Sequence, residues 1–166
     1  MAGGELTPTV TRDGAWTRVA GRFWRAMAVG AEAAALDGTM RAGRYNRAGE
    51  RTLYMSASRE GVAAAMARYG EAERTLVALD VEADRLIDLR DAAACEALGI
   101  EPLRAGEDWI AALDRGETPA SWLVANAARA AGAVGLIDAS RTAPGLWHLV
   151  LFGWGGVGAQ VRIPPS

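Results

Sequence analysis

The chain has 166 residues, 51% apolar and 23% charged, the proportions of one globular domain long enough to bury a core. Its net charge of −2 gives no basic footprint for direct nucleic-acid binding, and its single cysteine, Cys95, excludes a disulfide framework or a thiolate zinc site within one chain. All 18 basic residues are arginine, which excludes a lysine Schiff base or Walker-type lysine and leaves any anion to arginine's planar fork.

Residues 1–15 read as an N-terminal arm ahead of one domain over 16–166. The arm is polar and carries Glu5 and Asp13, unlike a signal peptide. No run of 18 apolar residues is present, so no membrane span is expected and a cytoplasmic location is the expectation. Gly21–Val29 alternates as a strand, with Trp24 opposite Phe23 and Arg25. Residues 32–51 are Gly-rich and irregular, with a short Ala-rich helical turn; an ordered loop of this length usually carries function. Thr52–Ser56 is a strand. Ser58 caps a helix to about Tyr69, stopped by Gly70.

Two further extended pieces follow, Thr75–Val81 and Leu86–Leu89. Asp91 caps a helix that Gly99 ends, with Cys95 as a small buried hydrophobe inside it. Trp109–Leu113 is a turn or two of helix, and Ser121–Ala131 a longer one ended by Gly132. The remainder is strand-rich: Val134–Ile137, Trp147–Phe152 and Gln160–Ile163. Gly153-Trp154-Gly155-Gly156 follows a strand without opening a helix, so it reads as a hairpin turn, not a dinucleotide loop. Strands and helices mix without a βαβ repeat. The class is α+β, one domain of mixed twisted sheets with flanking helices.

Generic site searches return little. The lone histidine, His148, lacks the partners for a metal cluster or triad and reads as a strand histidine satisfied locally; no metal is expected. Trp24 and Trp109 are candidates to line a base-binding pocket. More informative are three segments at strand ends: Gly43-Arg44-Tyr45-Asn46, Leu53-Tyr54-Met55-Ser56 and Asp138-Ala139-Ser140-Arg141. They place arginine, tyrosine and serine where loop-borne polar groups often form one cleft.

In order and approximate spacing these segments, with Phe23-Trp24-Arg25 before them, an Ala-rich helix from Arg59 to Tyr69, and Gly135–Arg141 leading to Leu149-Val150-Leu151-Phe152, resemble the RES-domain toxins of bacteria. The resemblance covers about residues 20–153. It implies a fold similar to diphtheria-toxin-type ADP-ribosyltransferases and NAD⁺ as substrate. It also implies a cognate helix-turn-helix antitoxin and, in one branch, a host protein that accepts ADP-ribose. By motif, Arg25 and Arg44 would contact the pyrophosphate or ribose and Tyr54 would stack near the nicotinamide. Ser140 would hydrogen-bond at the ribose, and Tyr45 and Ser56 complete the NAD⁺-contacting set. Cleaving the glycosidic bond of NAD⁺ builds an oxocarbenium-like ribose, which wants arginines at the diphosphate and a carboxylate near the sugar.

The glutamate that names the family is missing. Its place falls at Ala65 or Met66, while Glu60 and Glu71 are too far round or along the chain. Three explanations stand: a branch that works without it, another acid such as Asp138 or Glu50, or an inactivated variant. The reading is therefore an NAD⁺-consuming toxin, by hydrolysis, phosphorolysis or ADP-ribosyl transfer. The alternative is a catalytically impaired RES-like module that binds a ligand or an antitoxin.

Overall fold

The computed structural model describes residues 7–70 and 73–165. In chain order these form β1 (Thr9–Asp13), β2 (Trp16–Ala28), β3 (Leu53–Ser56), α1 (Arg59–Met66), β4 (Arg74–Asp88), α2 (Ala92–Ala97), α3 (Trp109–Asp114), α4 (Ala120–Ala130), β5 (Gly135–Ala139), β6 (Trp147–Leu151) and β7 (Ala159–Arg162). The architecture is mixed α+β, as the sequence pattern suggests. Residues 1–6, part of the expected arm, and Glu71 lie outside the described residues; residues 9–13 of that arm are β1, hydrogen-bonded to β2.

β2 and β4 form a long antiparallel ribbon from Thr17↔Leu86 to Ala28↔Arg74. The other edge of β2 carries β1 and, through Trp24↔Ser56, β3. β4 carries β7 and a parallel β5 on its far edge. β3 pairs β6, and β6 pairs β5. The pairings therefore close a circuit, β2–β3–β6–β5–β4 and back to β2. Inside it lie Phe23, Leu53, Leu79, Val81, Leu149 and Leu151, all 0–1% exposed. Each such buried side chain contributes roughly 1.5–3 kcal/mol by leaving water.

The two extended pieces expected over 75–89 are one strand, β4. The polar run Glu82-Ala83-Asp84-Arg85 suggests a break, and the backbone instead absorbs it as a bulge. Register slips between Thr17 and Val19, and Arg85 takes φ 55°, the positive-φ exception outside glycine among the described residues. Stacking of the Arg85 guanidinium 4.2 Å above Trp16 and a bond to the Gly132 carbonyl hold the bulge. The helix signals hold. Ser58 accepts from Gly61 N at 3.0 Å, Asp91 caps α2 through Ala93 and Ala94, and Gly70, Gly99 and Gly132 take positive φ past helix ends.

Period-2 alternation gives β3, β5 and β6 a second, outward face. At one end it is apolar: Ile87, Leu136 and Val150 pack with Cys95 of α2 and Val124, Ala125 and Ala128 of α4. At the other end the same face turns polar. That change of character positions the site.

Candidate functional site

Cross-strand register sets the polar end. Trp24 lies opposite Ser56, Ser56 opposite His148, and His148 opposite Asp138, so one row crosses β2, β3, β6 and β5 on a single face. Opposed residues in antiparallel pairs bring their side chains together. Ser56 Oγ lies 2.7 Å from Nδ1 of His148. Burial lowers the His148 imidazole below its ordinary value, partly opposed by Asp138 and aided by Arg141.

Asp138 is 8% exposed and heavily engaged. The Tyr45 phenol donates to its Oδ2 at 2.5 Å, and Arg141 Nη2 reaches both oxygens at 3.1 and 3.2 Å. The Tyr45 hydroxyl is pushed well above the usual phenol range by burial and by the Asp138 charge, so it stays a donor. Arg141 also touches the Tyr45 oxygen at 3.3 Å.

Tyr45 reaches Asp138 because its turn is locked from below. Gly43 and Asn46 bridge the turn. The Tyr54 hydroxyl accepts from Tyr45 N at 3.0 Å and donates to Asn46 Oδ1 at 2.6 Å. Burial raises the Tyr54 hydroxyl too. Asn46, fully buried, donates to the carbonyls of Arg41, Arg47 and Glu50. A Cβ on Gly43 would stand 2.7 Å from Asn46 Oδ1 and 2.8 Å from Tyr54 Oη, so only glycine fits there. From above, α4 docks on the turn: Ser121 Oγ donates to the Arg44 carbonyl and Trp122 Nε1 to that of Gly43.

Beside Asp138 opens a groove of about 820 Å³, within the size range of small-molecule sites. Asp138, Ala139 and Arg141 meet Arg90, Glu96 and the 100–104 segment along its walls. Arg44 braces that wall, its Nη1 donating to the carbonyls of Ala105 at 2.9 Å and Glu107 at 3.2 Å. Arg90 is held by both oxygens of buried Asp88, and Arg104 faces Glu101 at 3.8 Å.

The structure thus brings Arg44, Tyr45, Tyr54 and Ser56 onto one connected face. Ser140 lies in the turn after β5, where its Oγ accepts from Ala143 N at 3.2 Å, next to the groove-lining Ala139 and Arg141 in the chain. Arg25 is elsewhere: it shares the inward face with Phe23, and its Nη1 donates to the Ala35 carbonyl at 2.6 Å, tying β2 to the 31–51 loop. Burial lowers its guanidinium. Ala65 is exposed on α1. Glu50 accepts from Arg47 N at 2.8 Å and faces Arg129, at the base of the turn. Of Asp138 and Glu50, Asp138 is the one on the groove. Trp24 is covered by the Arg59 guanidinium at 4.3 Å.

Sequence reading undervalues His148 and Arg141. The signal for them is a polar residue near the start of one apolar strand, β6, and another just past the end of β5, which gains meaning only once the two strands are in register. Ser56, His148 and Asp138 do not form a hydrolytic triad. Ser56 is 4% exposed, and Asp138 is committed to Tyr45 and Arg141. Among the described residues no cluster of histidine, cysteine and acids could hold a metal ion, and no helix is long and apolar enough to cross a membrane.

No match was found among curated proteins. Among solved structures the chain is similar to the M. tuberculosis MbcT–MbcA toxin–antitoxin complex, at TM-score 0.52 and 18% identity, over 86% of this chain and 81% of that one. At that identity the likeness speaks for the fold. The family model of the RES domain matches residues 10–165, nearly the whole length. On that match the chain belongs to the RES domain family.

Proposed function

We propose that this protein is the toxin of a toxin–antitoxin pair and that it consumes NAD⁺ by breaking the bond between nicotinamide and ribose. The observation that carries the reading is the Asp138 carboxylate, fixed by Tyr45 and Arg141 at the wall of the groove. A held negative charge there suits the positive charge that grows on the ribose as neutral nicotinamide departs. It takes the part of the glutamate that α1 lacks. Family membership and the likeness to a toxin solved with its antitoxin support the same reading.

In this assignment Arg44 and Arg141 flank the diphosphate and ribose, Ser140 bonds at the sugar, and Tyr45 and Tyr54 hold the turn that aims them. Ser56 supports the row from β3. Arg25 acts from a distance by fixing the 31–51 loop. The fold kinship extends to ADP-ribosyltransferases, the protein works in the cytoplasm, and a helix-turn-helix antitoxin covers the groove. The ADP-ribose goes to water, to phosphate or to a host protein. Incubating the purified chain with NAD⁺ and separating the products tests the reading. Release of nicotinamide that is lost in Asp138→Asn is expected; an inert wild-type protein would overturn it.

A further inference from the structure

Resting on the NAD⁺ reading, we infer that His148 is the general base of the reaction and that the ribose acceptor is therefore an O–H group, water or a hydroxyl, and not phosphate. Both oxygens of Asp138 are already engaged. Its Oδ2 accepts from Tyr45 and Arg141, and its Oδ1 from Arg141. A carboxylate so held is placed to stabilise charge.

His148 is the group beside it with capacity. It stands directly opposite Asp138 in the β5–β6 pairing. Nδ1 is taken up by Ser56 Oγ at 2.7 Å, which fixes the ring and turns the Nε2 edge away from Ser56. Among the described residues the polar and charged groups acting on the imidazole are Ser56 from β3, Asp138 from β5 and Arg141 from the turn after it. In the tautomer this role requires, Nδ1–H donates to Ser56 Oγ and the lone pair falls on Nε2, and burial favours the neutral ring. Two neighbouring titratable groups in different environments thereby take different roles.

The step balances. The acceptor oxygen bonds to the anomeric carbon, and the carbon–nitrogen pair returns to the nicotinamide ring and cancels its charge. The acceptor proton passes to His148, which releases it to solvent. Nicotinamide leaves neutral and needs no acid. Phosphate dianion would bring an oxygen already free of its proton, and a base would be idle.

His148 is the only histidine in the chain, so its titration can be read by ¹⁵N NMR without assignment variants. The test pairs that titration with the pH profile of kcat/KM for NAD⁺ loss, in phosphate and in phosphate-free buffer. Expected are an acid limb at the NMR midpoint of His148, below about pH 6.5, and equal rates with and without phosphate. In His148→Gln, kcat should fall by about 10² to 10⁴ with NAD⁺ affinity unchanged. In Ser56→Ala, the limb and the NMR midpoint should move together. A wild-type acid limb away from the His148 midpoint, a rate that requires phosphate, or full kcat in His148→Gln would overturn the inference while leaving the NAD⁺ reading intact. Absence of NAD⁺ loss in the wild-type protein would overturn both.

Discussion

Tyr45 and Asp138, 93 residues apart in the chain, are joined by a hydrogen bond of 2.5 Å. One end belongs to the locked turn and the other to the end of β5, so the bond fastens the two halves of the site. Tyr45→Phe removes the donor and keeps the ring in its buried place. The variant should lose about 1.5–3 kcal/mol, the range for hydrogen bonds to charged groups. Urea unfolding measures it, and a midpoint equal to wild type would argue that Arg141 alone satisfies the carboxylate.

Asp138→Asn keeps the shape and removes the charge. If the carboxylate stabilises the developing positive ribose, kcat for NAD⁺ loss should drop by about 10² or more, as for other preorganised electrostatic groups. Affinity for NAD⁺, measured by calorimetry, should change far less. Ala65→Glu is the counterpart. Because Ala65 is exposed on α1, the new acid should leave activity within about twofold and stability within about 0.5 kcal/mol. A large gain in activity would transfer the acid's role back to α1.

Gly43→Ala places a methyl group against Asn46 Oδ1 and Tyr54 Oη, both committed to the turn. The strain should cost about 1–3 kcal/mol, as in other overpacked sites. It should also weaken NAD⁺ turnover by displacing Tyr45. Thermal unfolding of this variant beside Gly49→Ala, where φ is 88° but no atom lies within 4 Å, separates crowding from backbone strain.

Stability should depend on pH through His148. Its folded-state value is lowered from 6.5 by burial, so the unfolded chain binds the proton more tightly. The contribution is fully present above about pH 6.5 and is lost as pH falls through the lower folded value. Unfolding followed from pH 8 to pH 5 should show this slope in the wild-type protein and a shallower one in His148→Gln. An identical slope in both would assign it to carboxylates.

Cys95 is fully buried, and burial raises its thiol to about 11. At pH 8 it should resist alkylation in the folded protein and react at once in urea. Mass spectrometry after a timed iodoacetamide pulse reads the outcome; rapid labelling without denaturant would show that α2 opens easily.

Much of this fold was legible because its signals are local. Ser58, Asp91, Gly70, Gly99 and Gly132 mark helix ends through bonds within a few residues, and the apolar runs of β5 and β6 need no partner to be seen. The β4 bulge was not legible. Asp84 and Arg85 look like a break until β2 is known to run alongside and Trp16 to lie under the guanidinium. In the site, the Gly43 turn and Tyr54 were readable as motifs. The row from Ser56 through His148 to Asp138 was not, since it exists only in the register of strands that lie far apart in sequence.

The closed circuit of strands also sets an order of events during synthesis. β2 and β4 can pair once residue 88 has emerged, but β3 has only one bridge to β2 and must wait for β6 to hold it. Tyr45 waits equally long for Asp138, and Ser56 for His148. Contacts of such sequence separation close late. A ribosome carrying the first 130 residues therefore displays a ribbon and three or four helices but no assembled site, and the chemistry becomes available only when β5 and β6 close the ring.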